Sequence, residues 1–297
     1  MEKKFKISTN KKYDFLQIKP TPSIEEITKF YNDEFYSGEY KKFNDSSLEV
    51  QLEDKSFYEE NWENIFQKIK KISKVNLEKK DKSILDVGCG WGLALDFFKK
   101  KGFDCYGFDP APEAVEYAKK RGINVKLAGI NGMDVFNKKN FDVVTLFNVL
   151  EHLPDPEKTI NEIHTITSEN SILIIDVPNE FNDFQLAGQK TNNLNEWWVC
   201  PPNHLNYFSY DSMKKLLELN NYKLVYAQSS FPLEMFLLFE DNYVSGDGKI
   251  GKTCHNKRVN FEKNMRKYGK TEKLNKFYEN LAKLNLGRQI TFYAQKK

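Results

Sequence analysis

The spacing of hydrophobic and polar positions changes near residue 83 of this 297-residue chain. Before that point, residues 55–74 place aromatic and aliphatic side chains at helical spacing, which predicts a helix with one core-facing side. After it, short apolar runs alternate with helical patterns. This alternation predicts an α/β fold, with a parallel sheet between helices on both faces.

The predicted elements follow one another closely. The strands are 83–87, 104–109, 123–127, 141–147, 171–177, 222–228 and 289–295, and the helices between them are 92–101, 112–120, 156–167 and 211–220. Residues 1–20 are basic and weakly patterned. Ser23 and Glu26 form a capping-box pattern that begins an early helix. A later helical face is predicted to carry Leu274, Phe277, Tyr278 and Leu281.

The strand at 83–87 leads directly into LDVGCGWG, where Gly88, Gly90 and Gly92 follow Asp86 at every second position. Glycine costs conformational entropy, so such a cluster indicates a sharp bend or the close approach of a ligand. Leu93 stands where a dinucleotide motif would have its third glycine. No Gly-Lys-Ser/Thr follows, so the motif is not a P-loop either.

Two further strand ends carry polar side chains. Asp109 ends the second strand in GFDPAPEAVEYA, where a carboxylate can accept the ribose hydroxyls of NAD or of S-adenosylmethionine. The segment FDVVTLFNVLEHLPDP places Asn148, Glu151 and His152 just after the fourth strand. Ligands of doubly wound sheets bind at these carboxyl ends, so a nucleoside cofactor is expected there.

Taken in order, LDVGCGWG, GFDPAPEAVEYA, FDVVTLFNVLEHLPDP and SILIIDVPN resemble the class I S-adenosylmethionine-dependent methyltransferases over roughly residues 55–230. The resemblance implies a Rossmann-like seven-stranded sheet with an N-terminal helical cap and a helical insertion before the last strand. An NAD-dependent enzyme is the alternative. The implied domains are a cap or lid at 1–75, the cofactor-binding core at 76–230, a basic insertion at 231–287 and the last core strand at 288–297.

The resemblance also implies which residues contact the cofactor. The glycine loop would wrap the methionine part, Asp109 would bind the ribose, and the segment after the third strand would contact the adenine. The implied set is Asp86, Gly88, Cys89, Gly90, Gly92, Asp109, Pro110, Ile130, Asn131, Phe147 and Asn148. Cys89 is expected to contribute its backbone, and the ring of Trp91 to pack.

Methyl transfer needs the acceptor aligned with the sulfonium, and an oxygen acceptor benefits from a general base, usually histidine. His204 lies in WWVCPPNHLNYFSYDS, which resembles the P-x-H-x-x-Y-F-S segment of bacterial methyltransferases from sugar and lipopolysaccharide pathways. It is predicted to be the base or a substrate ligand, or else a structural histidine. His152 is the second catalytic candidate, or the maker of a local hydrogen bond.

Two other features bear on the acceptor site. In the similar ubiquinone-pathway O-methyltransferases, an acid-x-x-Glu-His pattern here is tied to a metal, but Asn148 replaces the first acid, so no metal is expected. Trp197, Trp198 and Tyr207 either form an apolar wall for the acceptor or anchor the loop around His204. Tyr31, Tyr36 and Tyr40 are candidates for a lid over the cofactor.

The net charge of +3 conceals an uneven distribution, because residues 245–297 hold 14 Lys/Arg and 4 Asp/Glu. Such a stretch is either an anion-binding region or a solvated helix. Lys257 and Arg258 are therefore candidates for binding phosphates of the acceptor, with Arg288 as a further member. An RNA-binding motif is missing from the stretch, so a nucleic-acid partner is not expected.

The four cysteines form no C-x-x-C pair, and the chain shows neither a secretion signal nor an apolar run long enough to span a bilayer. A cytoplasmic protein is expected. The predicted function is methyl transfer from S-adenosylmethionine to a small polar acceptor, most simply an oxygen of a sugar or of a nucleotide- or lipid-linked glycan precursor. A quinone or phenol O-methyltransferase, an RNA or protein methyltransferase and a non-catalytic cofactor binder are the alternatives.

Overall fold

The computed structural model describes residues 5–30, 47–129, 132–137, 140–245 and 248–297. Their strands are β1 (Lys6–Thr9), β2 (Leu16–Lys19), β3 (Ser83–Val87), β4 (Asp104–Asp109), β5 (Asn124–Leu127), β6 (Phe141–Phe147), β7 (Thr167–Pro178), β8 (Asn206–Tyr207), β9 (Tyr222–Ser229) and β10 (Gln289–Lys296). Their helices are α1 (Ile24–Phe30), α2 (Leu48–Glu53), α3 (Lys55–Ile72), α4 (Leu93–Lys100), α5 (Pro112–Lys120), α6 (Pro156–Ile166), α7 (Asp183–Thr191), α8 (Tyr210–Leu219), α9 (Met235–Leu238), α10 (Lys249–Lys267) and α11 (Thr271–Lys283). A short 3-10 helix covers Leu150–His152.

The large sheet contains seven strands in the order β5-β4-β3-β6-β7-β10-β9. The ladders from β5 to β7 are parallel, whereas β10 is antiparallel to both β7 and β9. The chain moves outward from β3 through β4 to β5 and then returns to add β6 on the other side of β3. A ligand is therefore expected above the carboxyl ends of β3 and β6, where the strand order reverses. The predicted Rossmann-like seven-stranded sheet is confirmed.

The central strands are apolar runs because helices cover both faces of the sheet. Successive side chains of a strand point to opposite faces, so neighbours in sequence join different cores. Leu85 and Val144 belong to one hydrophobic cluster, whereas Ile84 and Val143 belong to the other. Helix α3 adds Ile65 and Ile69 to the second cluster, in agreement with its predicted core-facing side.

Local capping explains where several predicted helices begin. Asp155 accepts a hydrogen bond from the backbone N–H of Lys158 at the start of α6, and Pro156 occupies the first helical position. Ser209 and Ser212 form a reciprocal capping box at the start of α8. These signals are local, and the predicted bounds of α6 and α8 agree with the observed ones to within one or two residues, as do those of α4 and α5.

The N-terminal lead differs from its prediction. Strands β1 and β2 form an antiparallel hairpin, and β2 also pairs with β8 from the loop that carries His204. Each strand is too short for a reliable alternating pattern, and the pairing with β8 is long-range. The capping box at α1 is confirmed by hydrogen bonds in both directions between Ser23 and Glu26. The lid candidates Tyr31, Tyr36 and Tyr40 lie outside the described residues.

Helices α9, α10 and α11 occupy the insertion between β9 and β10. Helix α11 buries Leu274, Tyr278 and Leu281 in a cluster with side chains from neighbouring segments. The prediction that Phe277 shares this face was wrong, because its side chain is 45% exposed. Helical spacing alone cannot mark the edge of the buried stripe, which depends on the neighbouring elements. The division of the chain into four domains stays a prediction.

Candidate active site

The glycine loop leaves β3 and is held against β4. The backbone N–H groups of Gly88 and Cys89 both donate to the carbonyl oxygen of Phe108, at 2.9 and 3.1 Å. Gly88, Gly90 and Gly92 have φ angles of +70°, +49° and +69°, a region that side-chain-bearing residues rarely adopt. The bend predicted from LDVGCGWG is therefore present at the carboxyl end of the central strand.

Space around the loop distinguishes its glycines. A Cβ on Gly88 would lie 2.6 Å from Val149 Cγ2, and one on Gly92 would lie 2.9 Å from Ala118 Cβ. A Cβ on Gly90 would meet no atom of the described residues within 4 Å. Gly88 and Gly92 are thus required by protein packing, whereas Gly90 borders space that the described residues leave open to a ligand.

Asp109 closes the loop from the end of β4. Its two carboxylate oxygens accept backbone N–H groups from Gly90 and Ala111, each at 2.8 Å. Burial raises the pKa of Asp109, and these two hydrogen bonds oppose the rise. A carboxylate has further lone pairs, so it can still accept ribose hydroxyls. Pro110 is exposed directly beyond it.

Asp86 lies beneath the loop and is buried. The hydroxyl of Thr145 on β6 donates to its Oδ1 at 2.6 Å. Burial raises the pKa of Asp86 from its usual 3.8 to about 7, although the Thr145 hydrogen bond opposes this. The side chain therefore supports the loop from below and links β3 to β6.

The remaining predicted cofactor contacts divide into packed and accessible groups. Cys89 is buried, and burial raises the pKa of its thiol, so the group stays neutral. The ring of Trp91 packs edge-on against Tyr117, as predicted. Asn148 is exposed after β6, with φ +55°, and accepts from Gln289 at 2.7 Å.

Three other residues were predicted to contact the cofactor. Phe147 is partly buried and packs against the second hydrophobic cluster. Ile130 and Asn131 lie outside the described residues.

His152 ends the 3-10 helix that follows β6. Its Nδ1 lies 2.8 Å from the carbonyl oxygen of Asn203, and its Nε2 lies 3.5 Å from Glu151 Oε1. Burial, together with the nearby His204, lowers the pKa of His152 to about 3, so the ring is neutral. Burial raises the pKa of Glu151 to about 8. The predicted local hydrogen bond of His152 is present, and its catalytic role stays a prediction.

His204 makes the contact that sequence reasoning missed. Its Nδ1 lies 3.1 Å from both carboxylate oxygens of Glu180, which is buried just beyond β7. Burial lowers the pKa of His204, but the charge and hydrogen bonds of Glu180 outweigh it, so the pKa is raised overall. A histidine oriented by a buried carboxylate is the usual arrangement of a general base. The sequence feature that could have indicated this contact is NEFN, which places three polar residues directly after the carboxyl end of β7.

Three of these side chains converge. Glu151, His152 and His204 each place one potential ligand atom within 4.8 Å of the other two. Both oxygens of Glu151 are buried and accept no hydrogen bond from the described residues. Imidazole and carboxylate groups bind several divalent transition metals. The fold brings His204 to Glu151 and His152 from a segment that the sequence does not place beside them. The expectation that no metal binds here stays a prediction.

Most of the aromatic residues near His204 pack within the protein and anchor the loop, and so do not form a surface for the acceptor. Trp198 and Tyr207 are only 2% and 3% exposed, and Phe181 packs edge-on against both rings. They belong to the cluster that joins this loop to the β1–β2 hairpin. Trp197 is only partly buried, so it retains surface for an acceptor.

The family follows from comparison of the sequence with known proteins. Residues 57–227, more than half of the chain, match the family described as "Methyltransferase domain". This chain belongs to that methyltransferase family. The match includes the glycine loop, Asp109 and both candidate histidines, so these residues all lie within the methyltransferase domain.

Curated relatives match over part of their length. The ubiquinone biosynthesis O-methyltransferase of Colwellia psychrerythraea is 30% identical over 106 residues, which are 34% of this chain and 43% of that protein. The protein of the same name from Rickettsia canadensis is 27% identical over 140 residues, 46% of this chain and 59% of its own length. The chain thus spans about half the length of these relatives.

Solved structures share the fold. A SAM-dependent methyltransferase from Archaeoglobus fulgidus aligns over 84% of this chain and all of its own, with TM-score 0.53 and 17% identity. The plantazolicin methyltransferase BamL, solved with S-adenosylhomocysteine, aligns over 91% and 94%, with TM-score 0.54 and 15% identity. Together with family membership, this confirms S-adenosylmethionine as the expected cofactor.

The described loop fits that cofactor. Gly90 leaves room beside the backbone, and Asp109 has acceptor capacity at the position of a ribose. S-Adenosylmethionine would supply an activated methyl group on a sulfonium. The protein's task is then to hold the donor, exclude water and present the acceptor.

Among the described helices, none combines the length and apolar character that crossing a membrane requires.

Asp86 makes the stability of the cofactor-free protein depend on pH. The folded protein keeps the Asp86 proton up to about pH 7, whereas the unfolded chain releases it near pH 3.8. Stability is therefore lost as pH rises through this window. We expect Asp86→Asn to reduce the loss of unfolding free energy between about pH 4 and 7, which urea denaturation measures. An equal loss in the wild-type protein and in Asp86→Asn would contradict the raised pKa of Asp86.

Proposed function

We propose that this protein transfers a methyl group from S-adenosylmethionine to an oxygen atom of a small polar acceptor. The His204–Glu180 pair carries the proposal, because it places an oriented base at the carboxyl end of β7. Glu180 holds Nδ1, so Nε2 is the atom that takes the acceptor's proton. As the oxygen bonds to the methyl carbon, the carbon–sulfur bond breaks and S-adenosylhomocysteine leaves.

A sugar or a nucleotide- or lipid-linked glycan precursor is the proposed acceptor class. The aromatic loop around His204 supports this class through its resemblance to sugar-pathway methyltransferases. A phenolic acceptor of the quinone type is the second candidate, because curated relatives carry the name ubiquinone biosynthesis O-methyltransferase. Both classes can use this base, since both lose a hydroxyl proton during the transfer.

A labelled-methyl screen tests the proposal. Purified protein and methyl-labelled S-adenosylmethionine are incubated with pooled nucleotide sugars, sugar phosphates, phenols and short RNAs, and products are read by mass spectrometry. His204→Gln is compared with His164→Gln, a histidine in α6 that contacts Tyr222 instead. Label in sugars or phenols that only His204→Gln abolishes supports the proposal. Label confined to RNA, or none with cofactor bound, counts against it.

Contacts within the protein argue against the prediction that the basic insertion binds phosphates of the acceptor. Lys257 Nζ lies 2.7 Å from Asp241 Oδ2, and Arg258 contacts His255 and the ring of Phe57. We expect Lys257→Ala with Arg258→Ala to change the acceptor KM less than about twofold, because both side chains already have partners within the protein. Steady-state kinetics check this. A rise of about tenfold, or ~1.4 kcal/mol, would restore the insertion as the acceptor's phosphate site.

A further inference from the structure

Arg288 is placed by the fold beside the candidate base. It directly precedes β10, and its carbonyl oxygen accepts the backbone N–H of Asn179 at 3.0 Å. Glu180, the partner of His204, is the next residue after Asn179. The positive charge of Arg288 acts on both His204 and Glu180. The guanidinium therefore belongs to the same end of the sheet as the proposed chemistry.

One buried carboxylate holds Arg288. Its Nη1 donates to Glu234 Oε1 at 3.2 Å, and the Glu234 side chain is 0% exposed. Within the described residues no other side-chain hydrogen bond of Arg288 is present, which leaves its remaining N–H donors for another partner. The Arg288 side chain is 32% exposed, so these donors have access to open space. Glu234 thus positions the guanidinium without using up its hydrogen-bonding capacity.

Two further polar atoms around this pair lack partners. Glu234 Oε2 and the Tyr243 hydroxyl are buried, and neither forms a hydrogen bond with a described residue. The charges of Glu234 and Arg288 both act on Tyr243. Buried polar groups are normally satisfied by protein, water or ligand. The Tyr243 hydroxyl can donate to a polar group bound beside the accessible guanidinium, whereas Glu234 Oε2 can only accept and so requires a donor such as a hydroxyl or a water.

We propose that Arg288 binds an anionic group, a carboxylate or a phosphate, on the methyl acceptor and so directs the acceptor's hydroxyl toward His204. The planar guanidinium matches both anions through paired hydrogen bonds. This inference rests on the proposed function, because it assigns the acceptor's chemistry at the same site. It also moves anion recognition from the basic insertion, whose Lys257 and Arg258 have other contacts, to the start of β10.

Binding of matched compounds tests the inference without requiring turnover. Calorimetry with S-adenosylhomocysteine present compares D-glucuronate and glucose 1-phosphate with D-glucose, and 4-hydroxybenzoate with phenol. We expect the anionic member of a pair to bind about 10- to 100-fold more tightly, the range for charge-assisted hydrogen bonds. The two sugar anions distinguish a carboxylate from a phosphate, and the two scaffolds distinguish sugars from phenols.

The variants are chosen so that loss of folding does not imitate loss of binding. Arg288→Lys keeps the charge but removes the planar fork. Arg288→Gln with Glu234→Gln removes both charges of the pair, so neither remains unpaired. Arg266→Gln with Glu262→Gln is the control, because it removes a partly buried pair within α10 together with the contact of Arg266 with Glu60. S-Adenosylhomocysteine affinity reports whether each variant is folded.

We expect the anion preference to fall at least about tenfold in Arg288→Lys, to vanish in the Arg288/Glu234 double variant and to persist in the control. Equal binding of charged and neutral compounds, undetectable binding of every anion, or a preference that survives in the double variant overturns the inference. His204-dependent methylation of neutral acceptors alone would refute this inference and retain the proposed function. Anion preference without any methyl transfer would refute the function instead.

Discussion

Replacing His204 with glutamine is expected to lower kcat for methyl transfer by about 10²- to 10⁴-fold, the usual contribution of a positioned general base. Glutamine keeps a hydrogen-bonding group of similar reach but cannot accept a proton at neutral pH. Affinity for S-adenosylhomocysteine should stay unchanged, because the glycine loop and Asp109 are separate from this side chain. Steady-state kinetics with the acceptor identified by the screen, alongside calorimetry of the cofactor product, measure both quantities.

Glu180→Gln tests the orienting role of the carboxylate. Glu180 raises the pKa of His204, so the wild-type rate should rise with pH until that histidine loses its proton. Removing the negative charge lets burial dominate, which lowers the pKa of His204 and moves the rate profile to lower pH. The plateau rate should also fall about tenfold or more, because the ring is less firmly oriented.

His164→Gln provides the control for both histidine-site variants. A His204→Gln enzyme that keeps more than about a tenth of wild-type kcat would show that His204 is not the general base. A Glu180→Gln profile with an unshifted inflection would show that the pair is structural. Either result would leave the cofactor site unaffected.

Gly90→Leu is expected to weaken S-adenosylhomocysteine binding at least about 100-fold, or ~2.7 kcal/mol. A Cβ at this position meets no atom of the part of the chain that the structure describes within 4 Å, so a longer side chain would extend into the space beside the glycine loop. The folded state should lose only about 1–2 kcal/mol, the usual cost of a left-handed backbone for a residue with a side chain. Calorimetry and urea denaturation measure the two effects separately.

Gly269→Leu is the matched control for Gly90→Leu. Gly269 also has a positive φ, +70°, and open space around its Cβ direction, but it follows α10 and lies outside the cofactor loop. It should show the same modest loss of stability with unchanged cofactor binding. Gly88→Ala should instead destabilise the fold, because its Cβ would approach Val149 to 2.6 Å. Unimpaired binding by Gly90→Leu would mean that the cofactor lies elsewhere.

Local patterns explain why much of this architecture was predictable. Strands β3, β4 and β6 were located at their observed bounds because each is mostly buried and is followed by glycine, proline or a polar residue. The starts of α5 and α6 follow from Pro112 and Asp155, whose preferences act within one helical turn. The small sheet was missed because β2 pairs with β8 across about two thirds of the chain.

The sequence by itself determined the class of this protein and the position of its glycine loop, because glycine spacing and strand ends are properties of contiguous residues. Only the tertiary structure decided which groups meet around His204 and Arg288. Glu180 reaches His204, and Arg288 reaches Glu234, through contacts between residues far apart in the chain. Burial also decides whether an aromatic such as Trp198 anchors a loop, since exposure depends on what packs above it. The chemistry of a side chain follows from the residue itself, but its partners and its exposure depend on how other segments pack around it.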